Sequence, residues 1–138
     1  MISGLSHITF IVHDLGKMTR IIVDVLGGRE VYVSGAKQHS ISPEKFFDVG
    51  GIWIAIMQGG ALPFRTYNHV AFKVSPEQFV KAKLAIEKLG LDVRESRPRV
   101  QGEGQSLYFH DYDNHLFELH AGTLDERLAA YKELDLKP

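Results

Sequence analysis

The sequence predicts an α+β fold made of two βαβββ modules, and three observations carry that prediction. The first is a pair of matching segments. His7-Ile8-Thr9-Phe10-Ile11-Val12 and His69-Val70-Ala71-Phe72-Lys73-Val74 alternate and favour β-branched and aromatic residues, as strands do. The second is that a helical stretch follows each and closes on glycine, at Gly27-Gly28 and at Gly90. The third is that three more strand-like segments follow each helix. The halves are offset by 62 residues, from His7 to His69.

Each element has a local reason. In the first half the helix covers residues 15–26, and strands lie near 29–34, 44–50 and 52–58. In the second half the helix covers residues 76–89, with Ser75 as N-cap and Pro76 at the first helical position. Strands follow near 92–96, 105–110 and 115–120. Asp111-Tyr112-Asp113-Asn114-His115 supplies turn chemistry between the last two. Thr123 and Glu126 have capping-box spacing and open a C-terminal helix. The expected organisation is one domain over 1–138. Module 1 spans about 4–60, module 2 about 65–122, and the last helix about 123–135. Only Gly59-Gly60-Ala61-Leu62-Pro63 resembles a linker, so the modules are expected to share a core.

Composition removes several function classes. With 16 Lys and Arg against 17 Asp and Glu, the chain lacks the basic excess of a nucleic-acid binder. No apolar run approaches the ~18–20 residues that span a bilayer. The segment Met1–His7 lacks a signal-peptide pattern. The absence of cysteine excludes disulfides, thiolate metal sites and a cysteine nucleophile, and fits a cytoplasmic protein.

Strand alternation sorts the residues by face. Ile8, Phe10 and Val12, then Val70, Phe72 and Val74, then Phe117 and Leu119, form apolar faces for the helices. The opposite faces carry His7, Thr9 and Ile11; Tyr67, His69 and Ala71; and Leu116, Glu118 and His120. On a curled sheet that side is concave. A strand histidine is ordinarily hydrogen-bonded or exposed, and that reading covers His13, His39, His110, His115 and His120. His7 and His69 differ because they occupy equivalent places in the repeat. With Glu118 they form a mixed N/O set that leaves coordination positions open for a substrate. His120, on the face of Glu118, is the rival ligand.

These residues resemble the vicinal oxygen chelate (glyoxalase–dioxygenase) superfamily, and within it the fosfomycin-resistance proteins of the FosX epoxide-hydrolase type. The segments that carry the resemblance include Leu5-Ser6-His7-Ile8-Thr9, Arg65-Thr66-Tyr67-Asn68-His69, Arg97-Pro98-Arg99-Val100 and Gly102-Glu103-Gly104. Ser106-Leu107-Tyr108-Phe109 and Asp113-Asn114-His115-Leu116-Phe117-Glu118-Leu119-His120 complete it. The resemblance implies curled mixed sheets paired between chains of a homodimer. It implies a divalent metal, usually Mn(II), held by His7 of one chain and by His69 with Glu118 of the other. It implies fosfomycin, a small phosphonate epoxide, as substrate, and hydration of the ring to a diol.

The implied substrate contacts fall on Thr9, Tyr67, Ser106, Tyr108 and Arg127, and on Arg97 or Arg99. Apart from the resemblance, Arg127 reads as a helix-surface charge, and Arg97 and Arg99 as solvated loop charges. Gly102-Glu103-Gly104 reads as a flexible loop. Glu44 is the implied general base, taking the proton of an attacking water, although sequence alone reads it as an exposed loop acid. Two other functions fit the same scaffold: a metal-dependent thiol (glutathione) transferase opening the same epoxide, and a non-catalytic drug-binding protein.

Overall fold

The computed structural model describes residues 1–94, 99 and 101–138. Strand β1 (His7–Val12) leads into helix α1 (Leu15–Arg20), followed by β2 (Arg29–Val33), β3 (Glu44–Val49) and β4 (Ile52–Gln58). The second half repeats the order with β5 (His69–Lys73), α2 (Pro76–Leu89), β6 (Asp92–Arg94), β7 (Gln105–His110) and β8 (Leu116–Ala121). Helix α3 (Leu124–Asp135) ends the chain's regular structure.

Each half makes a four-stranded mixed sheet, in the order β1-β4-β3-β2 and β5-β8-β7-β6. The β1–β4 and β5–β8 pairs are parallel, and the β2–β3, β3–β4, β6–β7 and β7–β8 pairs are antiparallel. The α+β fold of two βαβββ modules is therefore as expected. The parallel pairing requires a crossover, which α1 and α2 provide.

Helix ends follow local chemistry. The Asp14 carboxylate accepts from the Lys17 amide at 3.0 Å and caps α1. Ser75 and Gln78 form a reciprocal capping box on α2, and Gly90 closes that helix at φ 64°. Thr123 accepts from the Glu126 amide at 3.1 Å.

The first helix departs from expectation. Beyond Arg20 the chain widens into a π-helical stretch, Ile21–Val25, in which the Leu26 amide reaches back to the Ile21 carbonyl at 3.2 Å. Ile21, Ile22 and Val25 are buried there and, with Met18, keep the i, i+3, i+4, i+7 spacing of one helix face.

The helix-side faces of both sheets meet in one apolar cluster. Phe117 lies at its centre: its ring is 5.2 Å from Phe10 of the first module, 5.5 Å from Phe109 and 6.2 Å from Phe72. Polar contacts join the modules as well. Asp113 accepts from the His13 amide at 2.9 Å and contacts His13 Nδ1 at 2.7 Å. Among the described residues no helix is long and apolar enough to cross a membrane.

Because Phe117 joins the two halves, Phe117→Ala is expected to lower stability by about 3–5 kcal/mol. Urea unfolding should show one cooperative transition at a lower midpoint. Two separate transitions in the wild-type chain would contradict a shared core.

Candidate metal and substrate site

The pairing register of the second sheet places Ala71, Glu118 and Tyr108 in one cross-strand row. The next rows hold His69, Leu116 and His110 on one side and Lys73, His120 and Ser106 on the other. These residues share the face opposite the helices.

On that face His69 Nδ1 lies 2.7 Å from the Tyr67 carbonyl oxygen. A carbonyl only accepts, so Nδ1 carries the proton and Nε2 presents its lone pair. That Nε2 stands 3.7 Å from Glu118 Oε2, too far for a hydrogen bond. An imidazole nitrogen and a carboxylate oxygen at this separation suit a shared divalent cation between them.

The Glu118 carboxylate is buried, at 5% exposure, yet it stays ionised. Burial acts to raise its pKa. Hydrogen bonds from Tyr108, Ser106 and Arg99, together with the Arg99 charge, outweigh that cost and hold it below the ordinary 4.5. Arg99 Nη2 donates to Glu118 Oε1 at 3.1 Å and to Tyr108 Oη at 3.0 Å. Tyr67 and Tyr108 share a hydroxyl hydrogen bond of 3.1 Å. Burial, then the contacts with Glu118 and Tyr67, push the Tyr108 hydroxyl upward, so it stays a neutral phenol. The result is a cation and two hydroxyls gathered around the carboxylate, a set suited to an oxyanion ligand.

The first sheet carries the other half of the candidate residues. Rows His7–Trp53–Asp48, Thr9–Ala55–Phe46 and Ile11–Met57–Glu44 run across β1, β4 and β3. His7, Thr9 and Glu44 thus share the face opposite the helices. His7 Nδ1 lies 2.9 Å from Ser6 Oγ, and its ring sits 4.2 Å from that of Trp53. The place that answers to Glu118 is filled by Ala55, which pairs with Thr9 as Glu118 pairs with Ala71. Each module supplies a histidine, but only the second supplies the carboxylate. Among the described residues, no three His, Cys, Asp or Glu side chains gather within the chain.

Several residues differ from their sequence readings. Glu44 is not an exposed loop acid. It opens β3 at 8% exposure, with its amide donating to Ser34 Oγ at 2.8 Å. The Ser34 hydroxyl donates in turn to the Glu44 carbonyl at 3.0 Å. Arg127 is half-buried, and its charge, after burial and the opposing charge of Glu118, depresses the pKa of His120. It is therefore no simple surface cation. Arg99 is also half-buried rather than solvated, whereas Arg97 lies outside the described residues. Glu103 is buried at 1% exposure, so its loop is packed. His120, the rival ligand, engages Ser106 Oγ through Nδ1 at 2.7 Å. Trp53 escaped the sequence reading although alternation along β4 would have placed it beside His7.

Comparisons with known proteins bear on this arrangement. No protein-family model matches the chain. The fosfomycin resistance protein FosX of Mesorhizobium japonicum is 60% identical over 129 residues, 94% of this chain and 93% of that protein. The chain belongs to the FosX family of fosfomycin resistance proteins. A FosX variant from Listeria monocytogenes, complexed with Mn(II) and 1S,2S-dihydroxypropylphosphonic acid, is 52% identical with a TM-score of 0.85. That match covers 95% of this chain and 99% of the other. The metallothiol transferase FosB of Staphylococcus epidermidis is 33% identical, covering 96% of this chain and 94% of its own. The resemblance to the FosX type of fosfomycin-resistance proteins thus holds at the level of family.

Two histidines of this face, His110 buried and His120 half-buried, give stability a pH dependence. His110 has neither ring nitrogen hydrogen-bonded, and burial, then the Arg65 charge, lowers its pKa from 6.5. His120 is lowered as well, with burial again the largest cause. Both bind protons more readily unfolded than folded, so stability falls as pH drops below 6.5. The Tm should be lower at about pH 5.5 than at about pH 7.5, and His110→Leu should narrow that gap. An unchanged gap in His110→Leu would show that His110 does not couple to folding.

Proposed function

We propose that the chain hydrates the epoxide ring of fosfomycin in a Mn(II)-dependent reaction, as a homodimer with shared sites. In each site, His7 of one protomer joins His69 and Glu118 of its partner. The observation that carries the reading is the division of donors: the His69–Glu118 pair stands open at 3.7 Å, while His7 belongs to a sheet whose matching position is Ala55. The open face of that sheet exposes Trp53 and Ile11, the kind of surface a second copy covers.

When bound, the cation supplies Lewis acidity toward the epoxide oxygen, weakening the C–O bond. The chain's own groups do the rest. Arg99, Tyr67 and Tyr108 meet the phosphonate with a cation and two hydroxyls, and Thr9, Ser106 and Arg127 border the pocket. Arg97 belongs to the same proposed set. Glu44, on the face that bears His7, takes a proton from water as the water oxygen attacks a ring carbon. The carbon–oxygen bond of the ring breaks, and the ring oxygen takes up a proton from solvent. The product is a vicinal diol.

A phosphonate carrying a vicinal diol is what water addition to a phosphonate epoxide yields, and such a diol is bound in the Listeria relative. Identity of 60% to a FosX against 33% to a FosB also favours water over a thiol.

Fosfomycin and Mn(II) are expected to yield the diol by phosphorus NMR without any thiol. A product that forms only when glutathione or another thiol is supplied would overturn the hydrolase reading. Glu44→Gln should lower kcat by at least about 100-fold. Wild-type turnover in a folded Glu44→Gln chain would remove Glu44 as base. Mn(II) should quench the emission of the chain's single tryptophan, Trp53, whose ring lies 4.2 Å from that of His7. His69→Ala should abolish both that quenching and the metal content found by elemental analysis; retained metal would refute its role as ligand.

A further inference from the structure

Glu103 takes no part in the chemistry above, yet among the described residues it is the least exposed charged residue, at 1%. A carboxylate buried to this degree is costly unless cations and donors surround it. Its backbone leaves it little choice. Gly102 and Gly104 flank it at φ 88° and 85°, conformations that L side chains avoid. A Cβ on Gly104 would stand 2.2 Å from the Ala121 carbonyl oxygen, and one on Gly102 would stand 3.2 Å from Ala130 Cβ. The loop is therefore wedged between the end of β8 and α3, and Glu103 points inward.

There Glu103 Oε1 accepts from Tyr131 Oη of α3 at 2.6 Å. The same oxygen lies 4.0 Å from Arg99 Nη1, at ion-pair distance but beyond a hydrogen bond. The opposite edge of that guanidinium is held by Glu118 and Tyr108. Arg99 thus sits between two buried carboxylates, while its Nε and Nη1 are occluded and make no hydrogen bond.

We infer that Glu103 is a positioning residue: with Tyr131 fixing its carboxylate, it is the counter-ion that keeps Arg99 at the substrate end of the site. This rests on the reading that Arg99 binds the phosphonate. A cation on Glu118 draws on the charge that otherwise restrains Arg99. Glu103 is the carboxylate that keeps its hold. Without it, Arg99 must be ordered anew by each substrate, and that entropy is charged to binding rather than to the chemical step.

The test is steady-state kinetics of the full, Mn(II)-loaded chain with fosfomycin, together with inhibition by inorganic phosphate. Glu103→Gln should raise KM and the phosphate inhibition constant together, by about tenfold, with kcat within about twofold. Tyr131→Phe should move both constants the same way, by about threefold. Arg99→Ala is the comparator. If Arg99→Ala raises both constants while Glu103→Gln leaves them at wild-type values, the positioning role is overturned and the phosphonate reading survives. If Arg99→Ala changes neither, the phosphonate reading fails and the positioning role fails with it. Should Glu103→Gln not fold, Tyr131→Phe decides, because it deletes one oxygen from an exposed side chain; wild-type constants there overturn the proposal.

Discussion

A β-strand presents alternate residues to one side of its sheet, and the rest of this molecule depends on that alternation. The helix-side residues of two sheets converge on Phe117 and close a single core. The remaining face of each sheet is then committed to another purpose. On one it carries His7, Thr9 and Glu44; on the other it carries His69, Glu118, Tyr108 and Ser106. A one-residue slip in any of these strands would turn its polar residues into the core and its apolar residues out. Packing energy and site geometry are thereby linked, because the same register secures both.

The chemistry of the second face turns on how one buried carboxylate is kept charged. Burial opposes the ionised Glu118, and the hydroxyls of Tyr108 and Ser106 with the guanidinium of Arg99 reverse that preference. Those groups do more than stabilise an anion. Arg99 is held on Glu118 Oε1 and on the Tyr108 hydroxyl, while Oε2 is the oxygen that stands 3.7 Å from His69 Nε2. The His69 ring is in turn oriented by the Tyr67 carbonyl. Each donor toward the candidate cation is fixed by a neighbour that binds its other atom, the arrangement expected around a metal ligand pair.

Much of this was legible in the sequence, for physical reasons that differ by element. The strand faces followed from alternation, and α2 from Ser75, Pro76 and Gly90, because these signals act within a few residues. The equivalence of His7 and His69 was visible because a repeat preserves register. Less was legible where the outcome depends on distant chain. The π-helical turn at Ile21–Val25 left no mark in the local pattern, because the spacing of Met18, Ile21, Ile22 and Val25 is that of an ordinary helix. Glu44 read as exposed because its place in the sheet is set by pairing with β4 and by backbone bonds to Ser34, neither of which is local. Glu103 read as flexible because glycines usually loosen a loop; here they allow it to pack against Ala121 and Ala130. The approach of Arg99 to Glu118 joins β8 to a loop whose path the sequence pattern does not encode.

On the proposed reading the division of donors between two sheets makes the active site a property of a pair of chains, and one mixing experiment tests this most directly. His7→Ala and Glu118→Gln are each expected to be inactive alone. A mixed dimer places both defects in one site and leaves the other intact. After unfolding and co-refolding equal amounts, about a quarter of wild-type turnover should return, since half the dimers are mixed and each has one whole site. If the two variants are folded, dimeric and freely exchanged yet the mixture stays inactive, the donors belong to one chain and the shared-site account is wrong.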